Sequence, residues 1–200
     1  MRAGSSSVWG NVTDTEPSDA ELLSRVAAQD RRAIGPLYNR YQPRLYRFLY
    51  RMVKDGGMAE ELVNEVFLDV WRGAGRFEGR STPSSWIFSI AHNKAVSALR
   101  KRRERPLDEE EAMEIVDPAD LQDEVVQHGD MRRLMKGCLD RLSPEHRVVI
   151  EMTYYQELSV KEIAEIVAVP ENTVKTRMFH ARKRLREMLE ASAAGRDGIQ

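Results

Sequence analysis

The chain has a single cysteine, Cys138, among its 200 residues. No disulfide can close within it, and a multi-cysteine zinc site is excluded. It lacks an apolar run long enough to span a membrane, and it lacks a signal-peptide pattern. Its four histidines, His92, His128, His146 and His180, show no metal-ligand spacing. H-E-x-x-H, a Walker loop and G-x-S-x-G are all missing, which removes the commonest hydrolase and nucleotide-binding signatures. The run Asp108, Glu109, Glu110, Glu111 is an acidic stretch without an acid/base partner pattern, so it reads as solvated. Strand-period alternation and internal repeats are missing too. These absences leave an all-α, cytoplasmic protein with no catalytic residues, no metal and no cofactor.

The longest stretch without basic charge lies in the middle of the chain. Pro106 to Asp130 contains no Lys or Arg and is rich in Asp and Glu. Basic residues gather on either side, in Arg100–Arg105 and in Lys175–Arg186. The formal net charge of -1 would argue against a polyanionic partner if charge were spread evenly. It is not, so the sum hides two basic surfaces and one acidic strap.

The most informative segment is Leu158 to Leu189. Ser159 and Glu162 form an S-x-x-E capping box that starts a short helix. Ile163, Ala164 and Val167 give that helix an apolar face. Val169 packs the turn, and Pro170 opens a second helix, where its missing N–H costs nothing. Val174, Met178, Ala181 and Leu185 then recur on one stripe. Asn172, Thr176, Phe179 and Lys183 face the other way, with Lys175, Arg177, Arg182 and Arg184 on the flanks. A polar reading edge between basic flanks suits a DNA major groove walled by phosphates.

The rest of the chain reads as more helices. A Ser18/Glu21 capping box starts the first. A second is expected within Arg31–Tyr41, ending before Pro43, and a third from Pro43 to about Lys54. Met58–Arg72 is helical and stops at Gly73. Gly73–Thr82 is a glycine loop, and Thr82-Pro83 starts a helix running to about Arg103. Met131–Leu142 and a helix begun by Ser143-Pro144 complete the set. The expected organisation is a disordered tail over 1–17, a helical domain over 18–105, a flexible acidic linker over 106–126, a helix-turn-helix domain over 127–191, and a flexible tail over 192–200.

Two surfaces of the first domain stand out. On Met58–Arg72, Leu62, Val63, Val66, Phe67 and Val70 form a core face, with Glu61, Glu65 and Arg72 opposite. Leu68 falls among the polar residues. It is either covered by a neighbouring helix or is the apolar centre of a docking surface with a charged rim. Phe77 and Trp86 bracket the glycine loop and precede Asn93, Lys94, Arg100, Arg102 and Arg103. Aromatics beside a flexible loop and a basic helix end are parts of a single-strand binder. Trp86 and Phe88 are equally readable as core residues, and Asn93 as a surface amide.

Taken together, YQPRLYRFLYRMV, AEELVNEVFLDVWR, SSWIFSIAHNKAVSALRKRR, LSPEHRVVI and the capped helix pair resemble bacterial sigma-70-type factors of the extracytoplasmic-function group, in family order. The resemblance spans about Leu22 to Leu189. It implies a transcription initiation factor that binds the β and β′ subunits of RNA polymerase core and directs it to promoter DNA. The helix Glu60–Arg72 would pack on the polymerase clamp helices, through Glu61, Asn64, Glu65, Leu68 and Arg72. Asn93 would read a flipped base of the −10 element, held by the Phe77–Ser85 loop. Lys175, Thr176, Phe179 and His180 would approach the −35 duplex. The acidic linker would thread polymerase channels that otherwise hold RNA. An anti-sigma protein is an expected partner. Asn64 stands where the family usually has Gln, and His180 where Arg is common. The competing expectation is a conventional helix-turn-helix regulator, which would need a dimerisation element in front.

Overall fold

The computed structural model describes residues 16–104 and 126–197. Most of the expected N-terminal tail and acidic linker lie outside these residues. Among the described residues every regular element is helical, giving the order α1 (Asp19–Ala27), α2 (Arg31–Val53), α3 (Gly56–Gly73), a 3₁₀ turn (Ala74–Arg76), α4 (Pro83–Glu104), α5 (Val126–Asp140), α6 (Pro144–Tyr154), α7 (Val160–Val167) and α8 (Glu171–Asp197). The all-α expectation holds.

Local chemistry starts most of these helices. Ser18 and Glu21 make the reciprocal capping box of α1. Asp55 accepts from the Met58 N–H and so begins α3 two residues earlier than the sequence pattern implied. Thr82 accepts from the Ser85 N–H at 3.2 Å at the head of α4. Ser143 caps α6, with Pro144 at its first position. Ser159 and Glu162 form the second complete capping box, on α7. The turn into α8 is made by Ala168, whose φ of 54° is left-handed.

One boundary differs from expectation. The break before Pro43 does not occur, and α2 is a single 23-residue helix with Pro36 and Pro43 inside it. Each proline removes a helix hydrogen bond, at about 3 kcal/mol in an ordinary interior. Both are exposed, while Ala33, Leu37, Tyr41, Leu45, Phe48, Leu49 and Val53 form one unbroken buried stripe. Burial at about 1.5–3 kcal/mol per large side chain outweighs the two lost bonds. At the other end of the chain, α8 runs through the start of the expected C-terminal tail to Asp197. Alanines 191, 193 and 194 favour this continuation.

Leu22, Tyr41, Leu45, Phe48, Val66, Ile87 and Phe88 centre the core of α1–α4. That cluster runs on into Val148, Val149, Met152, Leu158, Ile163 and Met178, so α6 and α7 pack against α2 and α4. A smaller cluster of Cys138, Leu139, Leu142, Ile150, Ala181 and Met188 joins α5, α6 and α8.

Polar contacts also join the two halves. Arg51 donates to both carboxylate oxygens of Glu151, at 2.6 and 2.7 Å, and lies 4.2 Å over the Tyr155 ring. Glu151 is 2% exposed. Burial pushes its carboxyl up, against the pull of Arg51, Arg147 and Lys54. Arg44 donates to the Gln156 side-chain oxygen at 3.0 Å, and Lys54 pairs with Asp140. Arg147 reaches the carbonyls of Leu139, Asp140, Leu142 and Arg51.

Glu162 joins two helix starts. One of its oxygens accepts from the Ser159 N–H and hydroxyl, the cap of α7. The other accepts from the Ser85 and Thr82 hydroxyls, at 2.6 and 2.8 Å, at the start of α4. Partial burial pushes this carboxyl up, but the bonds from Ser85, Ser159 and Thr82 outweigh it and bring it down to about 2. A folded-state value below the ordinary one contributes stability that is present above the ordinary value and lost on acidification. Unfolding measured across a pH series should therefore show a loss between pH 4.5 and about 2. Glu162→Gln should flatten that part of the curve.

Candidate nucleic-acid interface

The helix pair α7–α8 presents the edge expected of it. Val174, Met178 and Ala181 are buried, and Leu185 is half-buried beside them. On α7, Ile166 is buried with Ile163 and Ala164, while Val167 is only half-buried. Asn172, Lys175, Thr176, Phe179, His180, Arg182 and Lys183 are exposed. Phe179, a large apolar ring, is 65% exposed and meets His180 edge-on at 5.5 Å. An exposed aromatic ring among polar neighbours is the kind of surface that a thymine methyl can meet.

Several side chains on or beside this edge make protein contacts, Lys175 with Glu171 at 3.8 Å among them. The Thr176 hydroxyl donates to the Asn172 carbonyl at 2.9 Å, so it faces outward as an acceptor. Arg182 Nε donates to the Tyr154 hydroxyl at 2.9 Å, with its guanidinium 5.6 Å from the Tyr154 ring. Arg177 is half-buried, near enough to Glu145 to help hold that carboxyl low, behind the larger effect of the Glu145 backbone N–H. The sequence does not mark Tyr154. It is one of two adjacent tyrosines ending α6, with nothing local to distinguish it.

On α4, Trp86, Asn93 and Arg100 follow at i, i+7 and i+14, which places them along one face over about 21 Å. Trp86 is half-buried against Phe77, ring to ring at 5.3 Å. It also lies against Gly73, where a Cβ would meet the indole at 3.4 Å. Phe88, the other open case, is fully buried. Asn93, Arg100, Arg102 and Arg103 are exposed. Burial lowers the pKa of the neighbouring His92, against an opposing contact with Asn93, and so favours the neutral imidazole. Lys94 does not join this face. It pairs with Glu65 at 3.0 Å and Asp69 at 2.9 Å, tying α4 to α3.

The outer face of α3 carries Glu61, Asn64, Glu65, Leu68 and Arg72, all exposed. Leu68 is 52% exposed, so no neighbouring helix of the described residues covers it. The Lys94 contact pins Glu65 beside it.

Comparison with known proteins gives two family matches in one order. The sigma-70 region 2 model matches residues 37–105, and the sigma-70 region 4 model matches 132–185. The ECF RNA polymerase sigma factor SigK of Mycobacterium ulcerans is 34% identical over 176 residues, spanning 86% of this chain and 93% of that protein. SigK of Mycobacterium tuberculosis strain H37Rv is 34% identical over 174 residues, with the same shares covered. Among solved structures, the sigma factor RpoE of Bartonella quintana, in complex with the anti-sigma factor NepR, is 26% identical. It matches with a TM-score of 0.62 over 78% of this chain and 96% of that one. CnrH, solved with the cytosolic domain of CnrY, shares the fold at a TM-score of 0.64 and 21% identity, over 86% of this chain and 97% of that one.

Proposed function

The chain belongs to the sigma-70 family, in its extracytoplasmic-function group, and from that premise we propose how its surfaces divide the work of promoter recognition. The protein is a transcription initiation factor that works with RNA polymerase and promoter DNA. In our reading α1–α4 dock on the polymerase and hold the melted −10 strand, and α7–α8 read the −35 duplex. The observation that carries this is the ordered pair of regions, 37–105 and then 132–185, in a single chain. A helix-turn-helix regulator would account for the second region and leave the first without a role. We take the protein to act without catalysis of its own and in the cytoplasm. No described helix is long and apolar enough to cross a membrane. An anti-sigma partner is part of the proposal, as RpoE of Bartonella quintana was solved with one.

Purified protein mixed with bacterial core polymerase should co-elute with it and direct transcripts from specific start sites. A library of random promoters in the same assay returns the sequence preference. Failure to bind core would end this reading.

The −35 surface supports a specificity assignment. Phe179, Thr176 and His180 sit where base edges and methyls are read, while Lys183 and Arg182 approach phosphates. Base-edge contacts carry about 1–3 kcal/mol of discrimination each, whereas phosphate contacts act on all sequences alike. His180→Arg should change which −35 variants are used, read by sequencing transcripts from a −35 library. An unchanged profile counts against the assignment.

For the −10 strand, Asn93 is the proposed base reader, supported by its exposure on the Trp86 face. Asn93→Ala should reduce discrimination among −10 variants by about tenfold, the effect of one base contact. Its thermal unfolding and its affinity for core polymerase should match the parent's. A drop in either would make Asn93 a structural residue.

A further inference from the structure

The contacts between the two halves form a row with a chemical logic of its own. On α2, Arg44 and Arg51 lie about 20° apart around the helix and so share a face, and Lys54 is the left-handed residue that caps its C-terminal end. Along it they are spaced by about 10 Å and then about 4.5 Å. Arg44 lies over the rings of Tyr41 and Phe88, 5.4 Å from each centroid, which places it beside the first turns of α4. There the hydroxyls of Thr82 and Ser85 complete the row. Each donor in it holds an oxygen from the C-terminal half. Thr82 and Ser85 hold Glu162, Arg44 holds the Gln156 side chain, Arg51 holds Glu151, and Lys54 holds Asp140. A string of anionic and carbonyl oxygens laid along cations and a helix start is what a nucleic-acid backbone presents.

We infer that this row is a track for the sugar–phosphate backbone of one DNA strand, and that Glu162, Gln156, Glu151 and Asp140 stand in for its phosphates in the free protein. The inference rests on the sigma-factor reading and extends it beyond the α4 face. Two observations favour DNA as the occupant. The track begins at Thr82, within the Phe77–Ser85 loop proposed to hold the melted strand, so one strand can pass from loop to track. Its members are two arginines, a lysine and two hydroxyls, the groups that hydrogen-bond phosphate. Binding of the strand and docking of α6–α7 use the same donors, so they exclude one another. DNA engagement on the track therefore releases the C-terminal half toward a separate duplex element.

The test uses the full chain, without polymerase, and a fluorescein-labelled single-stranded 20-mer of mixed sequence at low salt. The double variant Glu151→Gln, Asp140→Asn weakens the mimic and should bind the strand about tenfold more tightly than the parent. Adding Arg44→Gln and Lys54→Gln should return affinity to the parent level. It should also make the slope of log K against log salt shallower by about 1.4, at about 0.7 for each phosphate contact on a single strand. A gain that survives the two added substitutions, or no gain at all, overturns the proposal. Should the Glu151 variant fail to fold, Asp140→Lys carries the same test, because Asp140 lies on the exposed rim. A duplex of equal length distinguishes strand binding on the track from binding by α8 alone. An equal gain on duplex that ignores Arg44 and Lys54 would assign the effect to α8 and overturn the track. Co-elution of the Arg44, Lys54 variant with core polymerase is measured separately. The track can thus fail while the sigma reading stands, and the reverse.

Discussion

Leu68→Glu should lower the affinity for core polymerase by at least about 30-fold while leaving the fold and its stability unchanged. Leu68 is half exposed on the outer face of α3, ringed by Glu61, Asn64, Glu65 and Arg72. In the proposed docking role it is the apolar anchor of a charged rim, and an anchor's truncation typically costs about 2 kcal/mol or more. Glutamate adds the desolvation of a charge to the lost contact. The core side of α3 is made by Leu62, Val63, Val66, Phe67 and Val70 and is untouched. Titration against labelled core polymerase reads the affinity, and a urea unfolding curve reads the stability. An unchanged affinity removes Leu68 from the interface. Arg72→Ala, on the rim of the same patch, should have a much smaller effect.

The second large effect concerns Glu151. Glu151→Ala should destabilise the protein by about 3 kcal/mol, because it leaves the Arg51 guanidinium half-buried without its carboxylate. The larger part of that loss is the stranded charge rather than the value of the ion pair. The double change Arg51→Met, Glu151→Leu should recover most of it, since a packed apolar pair of similar volume is often neutral. Equilibrium unfolding of the two single variants and the double variant closes the cycle. Additive losses in the double variant would mean that the two residues act independently.

What the sequence shows of this molecule is what a few neighbouring residues decide. The caps at Ser18, Thr82, Ser143 and Ser159 lie within three residues of the groups they satisfy, so those four helix starts are readable. The buried stripe of α8 follows from its period alone. The α2 boundary was not readable, because local proline chemistry argues for a break and only packing along the whole helix overrules it. Glu151 is a similar case. Its position between Ile150 and Met152 in the run VVIEM hints at burial, but its partner lies 100 residues away. The S-x-x-E pattern marks Glu162 as the capping residue it is, but its second pair of bonds, to Thr82 and Ser85, carries no local trace. Lys94 reads from sequence as part of a basic helix end, whereas the fold pairs it with Glu65 and Asp69. The residues facing outward on α3, α4 and α8 were legible as exposed, for exposure follows from helical period. Their assignment to polymerase or DNA comes from the family resemblance and remains the proposal made above.

The separation of those partners along the chain also has a consequence during synthesis. Arg44 and Gln156 are 112 residues apart, and Arg51 and Glu151 are 100 apart. At about 5–20 residues per second, the ribosome delivers the arginines roughly 5–20 s before their carboxylate and amide partners. During that interval the nascent N-terminal helices carry their cations uncovered, next to ribosomal RNA and to any message or DNA nearby. The finished protein hides this polycation, but each newborn copy passes through a stage in which it is bare.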